Sequence, residues 1–312
     1  MLKVPPPRGG VSGGGNVSTD KRVGRVRVAI QGYKGCFHEQ AARLFYEMPG
    51  HAGHDGSDVT PGPDRGSNIG IVECDTFEDL FRVKASSIVM AIENTVSGGL
   101  LHNFELLRKS GRAVKGEVYI TIGQNLMAVP GQKLEDIKEV RTHYMAINQT
   151  RPWFEKNAPW IRLTESEDTA KSAAELARSG EKGVGAVAGE LAASLYGLEI
   201  LAPGIETNKQ NFTRFLVIDD SMEVPQDRIN KALLCFTLPH KPGSLAQILT
   251  ILSFYDMNLT RIQSLPIPGK EWQYFFYADI KFEHYQRYLQ ALQAVKPLIE
   301  DLQILGEYTA AL

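Results

Sequence analysis

Residues 87–99 read SIVMAIENTVSGG, and this stretch decides the fold class. The apolar run at 88–92 has the length of one strand that is buried on both faces of a sheet. Polar side chains and two glycines follow it directly. Ligands of open α/β sheets bind just beyond the carboxyl ends of the strands. The stretch therefore predicts a buried parallel strand whose end carries candidate ligand-binding residues, namely Glu93, Asn94, Thr95, Ser97 and Gly98.

Similar apolar runs recur along the chain and are separated by segments with helical spacing of apolar residues. The runs lie at residues 26–30, 69–73, 118–129, 160–163, 184–188 and 212–218. Strands that alternate with helices in this way are typical of α/β proteins. We therefore predict one or two mainly parallel sheets with helices on both faces.

The chain after residue 219 has a different rhythm. Residues 219–230 are polar, include Pro225 and are interpreted as a linker. The segments that follow predict the order βαββαβ, with a hairpin around Pro268 and Gly269, which is the ferredoxin-like arrangement. The sequence thus predicts a flexible tail at 1–25, an α/β domain at 26–219 and a ferredoxin-like domain at 230–312.

The composition argues against several functional classes. The 34 basic and 36 acidic residues give a net charge of −2, whereas proteins that bind nucleic acids are usually far more basic. No apolar run approaches the ~20 residues that span a bilayer, so we expect no membrane partner. Three widely spaced cysteines favour a reducing, cytoplasmic location without a disulfide framework.

One loop contains residues that ligate metals in other proteins. It covers residues 50–67 and includes His51, His54, Asp55 and Asp58. Nothing in their spacing fixes a coordination geometry, so a solvated loop is preferred to a metal site. We predict no metal.

Thr213 and Arg214 interrupt the apolar strand at 212–218. Neighbouring side chains of a strand point to opposite faces, so the two residues cannot both face one solvated surface. Arg214 suits the bidentate capture of a carboxylate, and Thr213 suits donation of a hydrogen bond to a reacting oxygen. Alternatively, Thr213 is an ordinary strand residue and Arg214 an edge charge.

From these motifs, residues 26–312 are identified as similar to the prephenate dehydratase family followed by an ACT regulatory domain. The matching stretches stand in the family's order. They are GYKGCFHEQAA at 32–42, ENTVSG at 93–98, TH at 142–143 with Gln149, ES at 165–166, AGELAA at 188–193, LYGL at 195–198 and NFTRF at 211–215.

The resemblance implies conversion of prephenate to phenylpyruvate, with loss of carbon dioxide and water and without a cofactor. It also implies two lobes around a cleft, as in bacterial solute-binding proteins. Thr213 would donate a proton to the leaving hydroxyl, and Asn94 and Gln149 would line the site together with Thr142, which stands where the family usually has Ser. Phe215, Thr95, Ser97 and Gly98 are further candidate contacts.

The counter-charge for the dianionic substrate is open at this stage. Arg214 is one candidate, and backbone amides at a helix start near residues 97–99 are the alternative. Glu93 and Glu165 are interpreted as a proton relay or as structural hydrogen-bond acceptors, with the structural role preferred. The histidines His38, His102 and His143 are interpreted as packing or helix-end residues.

The ACT-like region would bind a regulatory amino acid, predicted to be L-phenylalanine, between paired domains of a homodimer or homotetramer. Gly243, Ser244, Leu245 and Ser264 are its candidate ligand residues. The family commonly has Glu-Ser-Arg-Pro where this chain has Gln263-Ser264-Leu265-Pro266, which places the inhibition in question.

Three residues near the predicted cleft also depart from the family pattern: Cys36, His38 and Met145. They leave arogenate as the alternative substrate. A protein that senses amino acids without catalysis is the alternative from a different functional class.

Overall fold

The computed structural model describes residues 26–47 and 69–311, and the N-terminal segment and the His51–Asp58 cluster discussed above lie outside these ranges. The described strands are β1 (Val26–Gln31), β2 (Ile69–Cys74), β3 (Ser87–Asn94), β4 (Gly98–Gly99), β5 (Val114–Thr121), β6 (Asn125–Ala128), β7 (Glu139–His143), β8 (Arg162–Ser166), β9 (Val184–Ala188), β10 (Glu199–Ala202), β11 (Phe212–Asp219), β12 (Lys231–Thr237), β13 (Asn258–Pro266), β14 (Tyr274–Lys281) and β15 (Asp301–Tyr308). The helices are α1 (Phe37–Glu47), α2 (Leu101–Ser110), α3 (Tyr144–Asn157), α4 (Thr169–Ser179), α5 (Glu190–Tyr196), α6 (Ser244–Phe254) and α7 (Tyr285–Val295).

These strands form two mixed sheets. The ten-stranded sheet has the order β13-β14-β12-β15-β5-β11-β3-β1-β2, with β4 paired to β3, and the five-stranded sheet has the order β10-β6-β9-β7-β8. The chain passes from the first sheet to the second after β5 and returns along β11. The α/β class is therefore as predicted.

The prediction of mainly parallel sheets is wrong for the central strands. Strand β11 runs antiparallel to both β3 and β5, because the chain returns from the second sheet in the opposite direction. Strand β6 is likewise antiparallel to β9 and β10. Parallel pairing is confined to β1 with β2 and β3, to β7 with β8 and β9, and to one β15–β5 contact among the described residues.

The C-terminal module, defined here as β12–β15 with α6 and α7, has the predicted order βαββαβ. One face of its antiparallel sheet packs on its own two helices through Leu234, Ile280 and Tyr288. The other face is covered by α2 of the first sheet's layer, where Phe104 and Leu107 join Tyr277 and other module residues in one apolar cluster. The module therefore shares a core with the rest of the chain.

Within the described ranges, no helix combines the length and the apolar character that crossing a membrane would require.

Candidate active site

A cavity of about 290 Å³ lies between the two sheets. Its walls come from the ends of strands and the first turns of helices in both layers. The lining residues are Gln31, Cys36, Phe37, His38, Ala91, Asn94, Ser97, Leu100, Ile122, Gln124, His143, Met145, Ala146, Gln149, Glu167, Asp168, Thr169, Thr213 and Phe215. Five of the predicted site residues, Thr213, Asn94, Gln149, Ser97 and Phe215, thus come together here.

A β-bulge in β3 determines which side chains enter this cavity. Arg214 pairs with Glu93, but the next residue of β11, Phe215, pairs with Ala91, so Ile92 is the extra residue. Regular alternation would place Ala91 and Glu93 on one face. The bulge instead places Asn94 with Ala91 on the cavity face and turns Glu93 toward the opposite face.

Asn94 and Thr213 are cross-strand partners and form the polar centre of the cavity. The side-chain oxygen of Asn94 accepts hydrogen bonds from the backbone N–H groups of Val96 and Ser97, each at 2.9 Å. This fixes the orientation of the amide, because only the oxygen can accept from those two donors. Its Nδ2 then donates to Thr213 Oγ1 at 2.9 Å and to Asn211 Oδ1 at 2.6 Å. The hydroxyl proton of Thr213 remains available to a molecule in the cavity.

The second sheet contributes donors that face this pair. Gln149 accepts a hydrogen bond at Oε1 from Gln124 Nε2 at 3.1 Å, so its own amide N–H₂ group is available for donation. His143 caps α3 and accepts at Nδ1 from the backbone N–H of Met145 at 3.3 Å. When this imidazole is neutral, Nε2 therefore carries its proton.

Helix α4 begins at the same end of the second sheet. Asp168 is its N-cap and accepts from the backbone N–H of Lys171 at 2.9 Å. Burial raises the pKa of Asp168, while the hydrogen bonds from the backbone of Lys171 and Ala170 oppose that rise. Its neighbour Glu167 pairs with Lys171, which lowers the pKa of Glu167.

Two lining residues with potentially reactive side chains are held in unreactive forms. Burial raises the pKa of the Cys36 thiol to about 12, so the group is not a thiolate nucleophile at neutral pH. Burial lowers the pKa of His38 to about 3, and its Nε2 accepts from the backbone N–H of Ala91. His38 is therefore a neutral acceptor that packs edge-on against Phe215.

This environment of His38 makes the stability of the protein depend on pH. The pKa of His38 is about 6.5 in the unfolded chain and about 3 in the folded chain. Between these two pH values, His38 is protonated in the unfolded chain and neutral in the folded chain. We expect His38 to lower the free energy of unfolding by about 1.4 kcal/mol for each unit by which the pH falls within that window. Urea unfolding of the wild type and of His38→Gln, which keeps an acceptor, measures the difference in slope. The matched control is His240→Gln at an exposed position, and equal slopes in all three proteins would contradict the prediction.

Several predicted site residues lie away from the cavity. Thr142 is buried and donates to the backbone carbonyl of Val187 at 2.7 Å. Glu165 pairs with Thr142 in the parallel β7–β8 ladder, and its side chain is exposed. Thr95 ties two strand ends together, since its hydroxyl accepts from Phe212 N and donates to Gln210 O. None of these residues lines the cavity, and the same holds for Gly98, which pairs with Asn94 in the β3–β4 hairpin.

The expectation that Arg214 or Glu93 contacts the substrate is wrong for this geometry. Arg214 is 3% exposed and lies on the face of β11 opposite Thr213, where its guanidinium binds Glu117 and Asp279. The bulge at Ile92 sends Glu93 to that same face. The amides near residue 97 are also engaged, because Asn94 accepts from them.

Four further lining residues, Asp168, Thr169, Gln124 and Gln31, were not among the predicted site residues, and His143 was predicted to be a packing or helix-end residue. His143 does cap its helix, but that helix end opens into the cavity. A usable signal was present, because a polar residue that caps a helix directly after a parallel strand stands at the ligand-binding edge of an α/β sheet. Both β7–α3 and β8–α4 have that pattern.

Comparison with known proteins gives the same picture. Residues 28–223 match the family model described as prephenate dehydratase. A bifunctional chorismate mutase/prephenate dehydratase of Aquifex aeolicus is 33% identical over 293 residues, which cover 92% of this chain and 75% of the relative. An arogenate dehydratase/prephenate dehydratase 1 of Arabidopsis thaliana is 30% identical over 311 residues, covering 93% of this chain and 74% of the relative.

Solved structures extend the likeness over the C-terminal module. A prephenate dehydratase from Arthrobacter aurescens in complex with L-Phe has a TM-score of 0.73 at 26% identity, covering 91% of this chain and 90% of that one. A protein described as a novel type of quorum quenching acylase has a TM-score of 0.76 at 27% identity, with coverages of 91% and 98%. The chain described here is therefore a lyase that belongs to the prephenate dehydratase family.

Proposed function

We propose that the protein converts prephenate to phenylpyruvate by decarboxylating dehydration, in a cleft between two lobes of the type found in solute-binding proteins. The observation that carries the proposal is the Asn94–Thr213 pair, which directs a hydroxyl proton into the cavity. The bond between the ring and its carboxylate breaks, and that electron pair makes the ring aromatic. The hydroxyl on the opposite carbon leaves as water with a proton passed on by Thr213, which solvent then replaces.

The reaction needs orientation and a modest acid more than a strong nucleophile, since formation of the aromatic ring supplies the driving force. The amide of Asn94 donates to the oxygen of Thr213, which favours release of the hydroxyl proton because it stabilises negative charge on that oxygen. Gln149 and Ser97 are further neutral groups for orienting the substrate. Glu93 and Glu165 take structural roles in this proposal.

Helix α3 is the candidate counter-charge for a substrate carboxylate. Among the described residues that line the cavity there is neither lysine nor arginine. The N-cap His143 and the first-turn residues Met145 and Ala146 of α3 lie in the wall. The N–H of Met145 donates to His143, but helix N-termini present several amide N–H groups to anions, and the others of this turn are candidates for that role. This replaces the role that the sequence suggested for Arg214.

Arogenate is a second candidate substrate, and the carboxylate of Asp168 in the cavity wall favours it. Arogenate carries an ammonium group where prephenate carries a keto oxygen, so an acidic lining attracts it more strongly. Incubation of the purified protein with each compound, followed by phenylpyruvate absorbance or phenylalanine release, gives the two kcat/KM values. Turnover of neither compound would refute the enzyme proposal and favour an amino-acid sensor.

We also propose that the C-terminal module is an ACT domain that binds L-phenylalanine and lowers activity. The related structure with L-Phe supports this, as does the placement of Gly243 and Ser244 at the start of α6. Leu245, in the first turn, and Ser264, on β13, complete the proposed contacts. Leu265, which stands at the family's arginine position, packs in the apolar cluster shared with α2. The departure from the family motif at this position therefore serves the contact between the module and α2.

Calorimetry tests this regulation directly. We expect L-phenylalanine to bind at millimolar concentration or below and to reduce turnover, and we expect one ligand for each module of a symmetric dimer or tetramer. Sedimentation of the same sample measures the number of subunits. Absence of a heat signal at millimolar phenylalanine would remove the regulatory role and leave the catalytic proposal standing.

A further inference from the structure

Directly behind the Asn94–Thr213 pair lies a buried charged cluster that joins the two parts of the chain. Arg214 donates from Nε to Glu117 at 2.7 Å and from both terminal nitrogens to the two oxygens of Asp279, each at 2.7 Å. Lys231 donates to both oxygens of Glu117 at 2.8 Å. Glu117 belongs to β5, whereas Asp279 and Lys231 belong to the C-terminal module. These four side chains are at most 6% exposed.

The charges of this cluster balance without any substrate. Two cations face two carboxylates, and Tyr308 accepts a further hydrogen bond from Arg214 at 2.9 Å. Burial alone raises the pKa of Asp279, but the hydrogen bonds and charge of Arg214 lower it overall, so the carboxylate stays ionised. The bidentate geometry restricts the guanidinium to one orientation. Arg214 is consequently fixed on the module side and cannot turn toward the cavity without leaving the buried carboxylate of Asp279 without its cation and Glu117 with Lys231 alone.

A second contact from the module involves the end of the neighbouring strand, β3. Arg261 of β13 lies over the ring of Phe104 at 4.2 Å and approaches Glu93 at 3.6 Å. A Cβ atom at Gly99, the partner of Glu93 in the β3–β4 hairpin, would overlap Nη2 of Arg261. The module thus contacts the reverse side of both strands, at the residues adjacent to Asn94 and Thr213.

We propose that Arg214 and Asp279 act as one positioning unit, termed here the interdomain clamp, which holds Thr213 in register for proton transfer. The clamp rests on the proposed function, because its effect is to position Thr213 for the proposed proton transfer. Through the clamp, the C-terminal module contributes to catalysis directly, independently of any regulatory ligand that it binds. Asp279 lies far along the chain from Thr213 and touches it only through Arg214, so it is a positioning residue.

A double-mutant cycle with Arg214→Met and Asp279→Asn tests the clamp. Each single variant leaves an uncompensated buried charge and should lose thermal stability, whereas the double variant is charge-balanced and should recover much of it. We expect each single variant to lower kcat by about tenfold or more with KM within about threefold, since the substrate contacts remain. The double variant should keep the low kcat despite its recovered stability.

A matched control removes an ion pair at the far end of the same strand. Arg112 and Asp220 pair at 2.7 Å just beyond the end of β11, and Asp220→Asn should leave kcat unchanged. Recovery of wild-type kcat in the double variant would overturn the clamp and leave a purely structural ion pair. A KM raised about a hundredfold by Arg214→Met alone would also overturn it, because that result assigns Arg214 to substrate binding.

These results separate the clamp from the function on which it depends. A wild-type protein that turns over prephenate or arogenate, together with variants of unchanged kcat, would refute the clamp alone. A wild-type protein inactive on both compounds would refute the proposed function, and the clamp would fall with it.

Discussion

A Thr213→Ala or Thr213→Val protein is expected to turn over prephenate about 10²–10⁴-fold more slowly than the wild type, the range typical of a group that transfers a proton in the transition state. The valine variant keeps the shape of the side chain and removes only the hydroxyl. The amide of Asn94 retains two acceptors, Asn211 Oδ1 and Phe212 O, so the fold should persist. Steady-state kinetics and thermal unfolding of the same samples measure both effects.

Two further variants serve as controls for the Thr213 substitutions. Thr213→Ser restores a hydroxyl at the same place and should recover most of the activity. Thr121→Val makes the same substitution at an exposed position of β5 next to the cavity strand and should have no effect. Turnover at the wild-type rate in a folded Thr213→Val protein would remove Thr213 from its assigned role.

Asn94→Asp should be as damaging, although it replaces only one NH₂ group with an oxygen. The remaining oxygen can still accept from Val96 and Ser97, so the turn that follows β3 is preserved. The new oxygen, however, faces Thr213 and accepts its hydroxyl proton, which withdraws that proton from the substrate. The new oxygen also faces Asn211 Oδ1, which accepts a hydrogen bond from Asn94 in the wild type. Two acceptor oxygens would then face each other with no proton between them. We expect kcat to fall by about 10³-fold, with a smaller change in KM.

The isosteric control is Asn208→Asp in the exposed loop before β11. Asn208 also accepts a backbone hydrogen bond, from Gln210 N, and its replacement adds the same charge outside the cavity. That variant should behave like the wild type. An Asn94→Asp protein with more than about a tenth of wild-type kcat would show that the direction of the Asn94–Thr213 hydrogen bond is unimportant.

The sequence predicted the elements better than their pairing. The apolar runs near residues 26, 69, 87, 184 and 212 all became strands, because runs of about four to eight residues have the length of a strand and are shorter than a typical helix. Their directions depend on where the chain returns from the second sheet, which no local pattern encodes. Asp75 and Glu78 have the spacing of a capping box, which predicts a helix after Asp75. The structure has only a single turn there, at Asp79–Phe81, and Thr76 rather than Asp75 accepts from Asp79 N.

For the site, too, individual residues were predicted better than their contacts. Thr213 and Asn94 were found from the polar residues that interrupt or end apolar strands. Arg214 and Glu93 were assigned to the substrate because charged residues beside such a pair suggest a ligand for them. Their actual partners, Asp279 and Arg261, lie in the C-terminal module, and sequence distance hides contacts of this kind. The alternation of strand side chains correctly separated Arg214 from Thr213 but could not foresee the bulge that moved Glu93.

That bulge makes the length of β3 as important as its composition. Loss of the single residue Ile92 would restore simple alternation and leave Asn94 on the cavity face, because Ile92 is the residue without a partner on β11. A regular pairing that kept Ile92 would instead turn Asn94 toward the module and present the acidic Glu93 to the substrate. Surface loops generally tolerate insertions and deletions, but a residue added to or removed from β3 preserves this site only where the bulge compensates for it. Relatives that keep the chemistry should therefore have the asparagine three residues after the position of Ala91 where the bulge is present, or two residues after it where the bulge is absent.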